Sequence, residues 1–317
     1  MIKILVTGCA GFIGFHLAKS LSECGKYEVI GIDNLNNYYD VKLKKERLSI
    51  LAKYKNNFSF YKIDITNKKK LNNLYKSKKF KYVIHLAAQA GVRHSISNPE
   101  TYVENNINGF FNIMDISRIF RVKHFIYAST SSVYGSSNKF PLKESFSTDM
   151  PNSFYAASKK TNEVLAYSYS YIYQLPTTGL RFFTVYGPLG RPDMALHQFA
   201  DSIYNSKSVK LFNRGNHTRD FTHVDDIVKG IKLLIFKPPV KKVPYDIFNI
   251  GSSKPSKLKL FLKLIEKNLG IKSKIKLEKF QLGDVHKTHA SIAKLKKRTG
   301  YNPHIKIQKG IKDYVDW

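Results

Sequence analysis

The sequence predicts an α/β fold, a doubly wound parallel sheet with a smaller discontinuous C-terminal lobe, on three observations. Apolar runs of strand length, from Ile2–Thr7 to Tyr245–Ile250, alternate with segments of helical periodicity. The glycine-rich turn Gly8-Cys9-Ala10-Gly11-Phe12-Ile13-Gly14 separates the first of these strands from the first helix, and Asp33 closes the second strand. At 317 residues the chain is also somewhat long for a single core, which leaves room for a second lobe.

The glycine turn divides its work among three residues. Gly8 permits a tight exit from the strand. Gly11 lets a pyrophosphate approach the backbone N–H groups of the helix N-terminus, where Phe12 and Ile13 follow, and Gly14 allows helix and sheet to pack closely. The placement is that of a Rossmann-type dinucleotide site. Asp33, at the end of the strand Glu28–Ile32, can accept from both hydroxyls of an adenosine ribose and repels a 2′-phosphate, so NAD is expected over NADP. A third strand, 58–63, ends at Asp64-Ile65, placed to touch the adenine edge. The fourth ends in the small residues Leu86-Ala87-Ala88, against which a cofactor backbone can lie.

A helix is expected from about Pro99 to Phe120, then a strand at 124–128 that runs into Ser129-Thr130-Ser131-Ser132. Open parallel sheets bring ligands to the carboxyl ends of their strands, so these hydroxyls face the cofactor crevice. Tyr155 and Lys159 follow, four apart on one helix face and within reach of each other. One positive charge about 4 Å from a phenol, at an effective dielectric of about 20, favours phenolate by roughly 4 kcal/mol before desolvation. That is about three pK units, enough to turn the tyrosine into a base. The same spacing at Tyr38/Lys42 and Tyr75/Lys79 shows that the pair alone is weak, and its setting strengthens it here. The chain divides into a nucleotide domain of residues 1–181 and 222–252 and a second lobe of 182–221 and 253–317.

Composition excludes several other classes. No run approaches the roughly 20 apolar residues of a membrane span, and no signal-peptide pattern opens the chain, so a cytoplasmic protein is expected. Cys9 and Cys24 offer neither a metal site nor a disulfide framework. The 53 basic and 23 acidic residues leave a net charge of +30. These lysines are scattered along the whole length and form no basic arm, so no nucleic-acid partner is expected. The field still favours arrival of an anionic substrate.

Over nearly its whole length the sequence resembles the extended short-chain dehydrogenase/reductases, and within them the UDP-glucuronate 4-epimerases. The glycine loop, Asp33, Asp64 and the Tyr155/Lys159 pair are the general markers. The narrower ones are Asp33-Asn34-Leu35-Asn36 with Tyr38-Tyr39-Asp40, Ala88-Gln89-Ala90-Gly91-Val92-Arg93, and Arg181-Phe182-Phe183-Thr184-Val185-Tyr186-Gly187-Pro188 continuing to Gly190-Arg191-Pro192-Asp193-Met194. The resemblance implies bound NAD, held also by Asn34, Gln89 and Asn106. It implies Tyr155 as base, Lys159 on the nicotinamide ribose and Thr130 on the reacting hydroxyl. It further implies a UDP-sugar held by Arg93, Ser131, Ser132, Thr184 and Arg191, with Arg219 on the pyrophosphate and Asn213, Gln281 and Asp284 near the uridine. Pairing through the helices around 99–120 and 153–173 into a homodimer is implied as well.

Related dehydratases and uronate decarboxylases carry acidic residues directly after the position of Thr130. Ser131 and Ser132 offer none, which favours simple epimerisation. The rival expectations are a 4-epimerase of UDP-glucose or UDP-N-acetylglucosamine and, in a different class, a catalytically idle dinucleotide-binding protein.

Overall fold

A computed structural model describes residues 1–317. Six strands, β1 (Ile2–Thr7), β2 (Tyr27–Asp33), β3 (Phe58–Lys62), β4 (Tyr82–His85), β5 (His124–Thr130) and β6 (Thr177–Phe182), join Tyr245–Ile250 in one sheet. Its spatial order is Tyr245–Ile250, β6, β5, β4, β1, β2, β3, with every neighbouring pair parallel. Side chains alternate across a strand, and both faces are covered by helices. Thus Ile4 and Val6 bury in one core with the helix Phe12–Glu23, while Leu5 buries in the other with residues of the helix Phe110–Ile119. The winding direction reverses between β1 and β4, which opens a crevice at their carboxyl ends.

The helix expected from Pro99 to Phe120 is broken. A short α-turn at Pro99–Tyr102 passes into a π-helical turn, Val103–Gly109, before α-helix resumes at Phe110. The wider turn contains Asn106, whose amide nitrogen donates to Gln89 O (2.9 Å) and Ser158 Oγ (3.0 Å) while its oxygen accepts from Gln89 N (2.7 Å). Those side-chain bonds hold the end of the β4 loop to the Phe154–Tyr173 helix.

The smaller lobe has its own core, in which Phe221 and Phe261 stack at 4.1 Å among Leu196, Phe199, Val209 and Ile311. Its far edge is a parallel pair, Ser208–Leu211 with Lys274–Leu277. The C-terminal segment expected wholly in this lobe divides instead: Leu295 and Tyr301 bury in the core of the main sheet, and Tyr301 Oη donates to Gly251 O at 3.1 Å. Arg47, fully buried, bonds Ala10 O in the glycine loop (2.8 Å) and Leu189 O in the turn that leaves the sheet (2.8 Å). His16 Nε2 lies 3.0 Å from Pro188 O in the same turn. These contacts fix the two sides of the crevice to one another.

Candidate active site

A cavity of about 850 Å³ lies in the crevice and is lined from both lobes. The glycine loop forms one end. Gly8 has φ +70°, and a Cβ there would meet Ala87 N at 2.8 Å; a Cβ on Gly14 would meet Gly8 O at 2.1 Å. Only glycine lets loop, helix and neighbouring strand approach so closely. No side chain caps the helix that starts at Phe12, so its first N–H groups are free for an anion in the cavity.

Asp33 stands beside them, its Oδ2 accepting from Ala10 N (3.2 Å) and its Oδ1 from Leu35 N (2.8 Å). Burial raises its pKa, and the Leu35 N–H and nearby Lys44 oppose that rise. At the end of β1, Thr7 Oγ1 sits 2.8 Å from His85 Nδ1 and accepts from Leu86 N and Ala87 N. The strand end is thereby turned so that Leu86, Ala87, Ala88 and Gln89 form cavity wall.

Tyr155 and Lys159 lie on the helix Phe154–Tyr173, which Ser153 caps by accepting from Ala156 N at 3.1 Å. Both line the cavity. Lys159 is 2% exposed, and burial with no compensating carboxylate brings its pKa down to about 7. Burial likewise raises the Tyr155 phenol, against which a hydrogen bond with Thr130 and the charge of Arg191 pull downward. The expected lowering of the phenol by Lys159 is not found: burial raises it on balance, and Thr130 and Arg191 are the groups that pull it down.

Thr130, Ser131 and Ser132 also reach the cavity, Thr130 Oγ1 donating to Ser132 Oγ at 3.2 Å. Beneath them Arg181 grips Glu163 through Nε (2.9 Å) and Nη2 (2.8 Å), and Ser129 Oγ donates to Glu163 Oε1 at 2.6 Å. This buried pair carries the turn from which the hydroxyls project.

Arg93, Thr184, Arg191, Arg219 and Asp284 also line the cavity. Arg93 lies over the Phe212 ring at 4.8 Å, and Arg219 Nη2 donates to Asp284 Oδ1 at 2.6 Å. Phe12, Ile13, Asn34 and Ile65 complete the predicted residues that line the space. Four others do not line it. Asp64 accepts from Asn34 Nδ2 (2.7 Å) and from Thr66, so it orders the loop that carries Asn34. Asn106 spends its amide on Gln89 and Ser158. Asn213 bonds its own turn at Asn216 O (3.0 Å), and the Gln281 carboxamide oxygen is buried without a partner.

Sequence reasoning assigned no role to Tyr38, Lys44, Asp193 or His217, all of which line the cavity. Tyr38 and Asp193 stand inside quoted motifs, which was their only signal. His217, buried with Nε2 3.3 Å from Asp284 Oδ2, had none.

The uncapped helix end, the closely packed glycines and an unpaired buried lysine fit a dinucleotide, and comparison with known proteins agrees. The profile of the NAD-dependent epimerase/dehydratase family matches residues 4–251. The chain belongs to this family. As an epimerase/dehydratase it is 43% identical over 314 residues to the UDP-glucuronate 4-epimerase of Thermodesulfobacterium geofontis, covering 99% of this chain and 95% of that one. It is 46% identical over 330 residues to Protein CapI of Staphylococcus aureus, covering 100% and 98%. The crystal structure of UDP-glucuronic acid 4-epimerase from Bacillus cereus, in complex with UDP-glucuronic acid and NAD, superposes with a TM-score of 0.93 at 32% identity, covering 99% and 98% of the two chains.

Proposed function

We propose that this protein inverts C4 of UDP-glucuronate to give UDP-galacturonate through a 4-keto intermediate. The observation that carries this is one cavity lined by Tyr155, Thr130 and Lys159 together with the acid-free pair Ser131-Ser132 and with Arg191. NAD, when bound, accepts the hydride from sugar C4 and returns it. Lys159 would hold its nicotinamide ribose and Asp33 its adenosine ribose, since both line the cavity. Thr130 holds the C4 oxygen while Tyr155 takes its proton, and the same proton goes back when C4 is reduced from its other face. The keto sugar turns over between these two events, and no net oxidation results.

The 4-keto uronate is a β-keto acid that must not lose CO₂. Ser131, Ser132 and Thr184 hold its carboxylate in an orientation unfavourable to that loss. With no carboxylate at positions 131 and 132, nothing there abstracts a C5 proton, so dehydration does not compete. Arg219 takes the pyrophosphate and Asp284 the nucleoside side, which makes the smaller lobe the nucleotide-sugar grip.

The helices Phe154–Tyr173 and Phe110–Ile119 present exposed Tyr167, Tyr171, Ile172, Phe111 and Ile119, an apolar face suited to a second copy of the chain. We read it as the contact of a cytoplasmic homodimer. No helix is long and apolar enough to cross a membrane.

Incubating the purified protein with UDP-glucuronate and no added cofactor tests the function. UDP-galacturonate is the expected product. Conversion of UDP-glucose or UDP-N-acetylglucosamine with UDP-glucuronate left untouched would transfer the function to a hexose epimerase.

A further inference from the structure

Two of the three arginines that reach the substrate end of the cavity, Arg191 and Arg219, are already paired with carboxylates, and the pair at Arg191 is the more constrained. Arg191 donates from Nε to Asp193 Oδ1 at 3.0 Å and from Nη2 to Asp193 Oδ2. Two parallel bonds to one carboxylate fix the plane of a guanidinium, which a single bond does not. Asp193 is fixed in turn, because Tyr38 Oη donates to its Oδ2 at 3.0 Å. The Tyr38 ring packs edge-on against His94 at 4.9 Å, and a Cβ at Gly91 would meet its hydroxyl at 2.5 Å, so the ring fills a fitted slot. The series runs from the β2 loop through Tyr38 and Asp193 to Arg191, and all of these residues line the cavity. Nη1 of Arg191 bonds no carboxylate or carbonyl of the protein.

Resting on the function proposed above, we propose that Asp193, tethered by Tyr38, is a positioning residue that locks the Arg191 fork with its Nη1 edge presented to the C5 carboxylate of the sugar. A uronate and a hexose differ at C5 by a carboxylate against a CH₂OH group, so only the uronate calls on this edge. Asp193 also neutralises Arg191 between turnovers and places a negative charge behind the fork. Its removal therefore leaves a guanidinium that still attracts the uronate but no longer orients it. Attraction and orientation separate in the kinetics: the first governs binding, the second the reactive geometry and the retention of CO₂.

The test uses the NAD-loaded enzyme and compares wild type with Asp193→Asn and Tyr38→Phe. For Asp193→Asn, kcat with UDP-glucuronate is expected to fall about tenfold or more without a rise in KM, with a UDP-pentose appearing among the products. The constant for competitive inhibition by UDP-glucose is expected to stay within about twofold of wild type, since a neutral C5 substituent makes no demand on Arg191. Tyr38→Phe keeps the ion pair and loses only its tether, so it moves the same quantities in the same direction by about threefold and covers the case in which Asp193→Asn fails to fold. A raised KM with kcat intact, or equal weakening toward both sugars, overturns the positioning role while leaving the epimerase function standing. A wild-type enzyme idle on UDP-glucuronate overturns the function itself, and this role with it.

Discussion

The two walls of the cleft treat charge in opposite ways. On the sheet side Lys159 is buried without a counter-ion, and its pKa is drawn down to about 7. On the lobe side Arg191 and Arg219 are each already paired, with Asp193 and Asp284. On the function proposed above, bound NAD would complete Lys159, whereas Arg191 and Arg219, bared each time a substrate leaves, would be held by their carboxylates until the next arrives. The supporting structure differs in the same sense: the sheet side rests on the buried Glu163–Arg181 pair, with side chains 4–5% exposed, while the Asp284–Arg219 pair is 26% and 14% exposed.

The largest expected effect breaks the chemistry on the sheet side. Tyr155→Phe should lower kcat by roughly 10²–10⁴-fold with NAD content unchanged, measured by steady-state assay and by cofactor released on denaturation. Next comes the floor of that wall. Glu163→Gln strands the buried Arg181 charge and should cost about 3–5 kcal/mol in urea unfolding.

Lys159 gives a pH signature of its own. Its folded pKa, about 7, lies below the ordinary lysine value of 10.5. Between those values the unfolded chain binds more protons than the folded one, so this group makes stability rise with pH across the window and withdraws that contribution as pH falls toward 7. In NAD-stripped protein the slope from this one group reaches at most about 1.4 kcal/mol per pH unit, and Lys159→Met should abolish it in unfolding curves taken from pH 7 to 10. The smallest effect sharpens the contrast. Asp284→Asn, at a partly solvated pair, should cost about 1 kcal/mol or less, read from the same unfolding curves, with NAD content intact.

The sheet side was legible in the sequence because its constraints are local. Gly8, Gly11 and Gly14 each answer a backbone demand, Asp33 ends a strand, and Tyr155 and Lys159 are neighbours on one helix turn. The electrostatics of that pair were not legible, because desolvation depends on the whole surrounding fold: burial raises the phenol and lowers the lysine. Asn106 and Asp64 show a second limit. Their positions were read as cofactor contacts, yet their side chains are spent on the Gln89 backbone and on Asn34, partners 17 and 30 residues away. The π-helical turn that swings Asn106 toward Gln89 has no periodicity signal of its own. On the lobe side, Arg191 and Asp193 are two residues apart and sit in one motif, but the tether from Tyr38 crosses 155 residues and appears only when the chain is folded. Asn213 and Gln281 fall just outside the cavity for the same reason, since the loops that carry them are set by contacts between distant segments.

The central claim is that one hydride leaves sugar C4 and returns to the same carbon within one closed site. Nuclear magnetic resonance of the product formed from UDP-glucuronate deuterated at C4, with no cofactor added, tests it most directly. Galacturonate that keeps the deuterium at C4 is the predicted result. Replacement of that label by hydrogen from solvent, or turnover only when NAD is added in stoichiometric amount, would contradict the account.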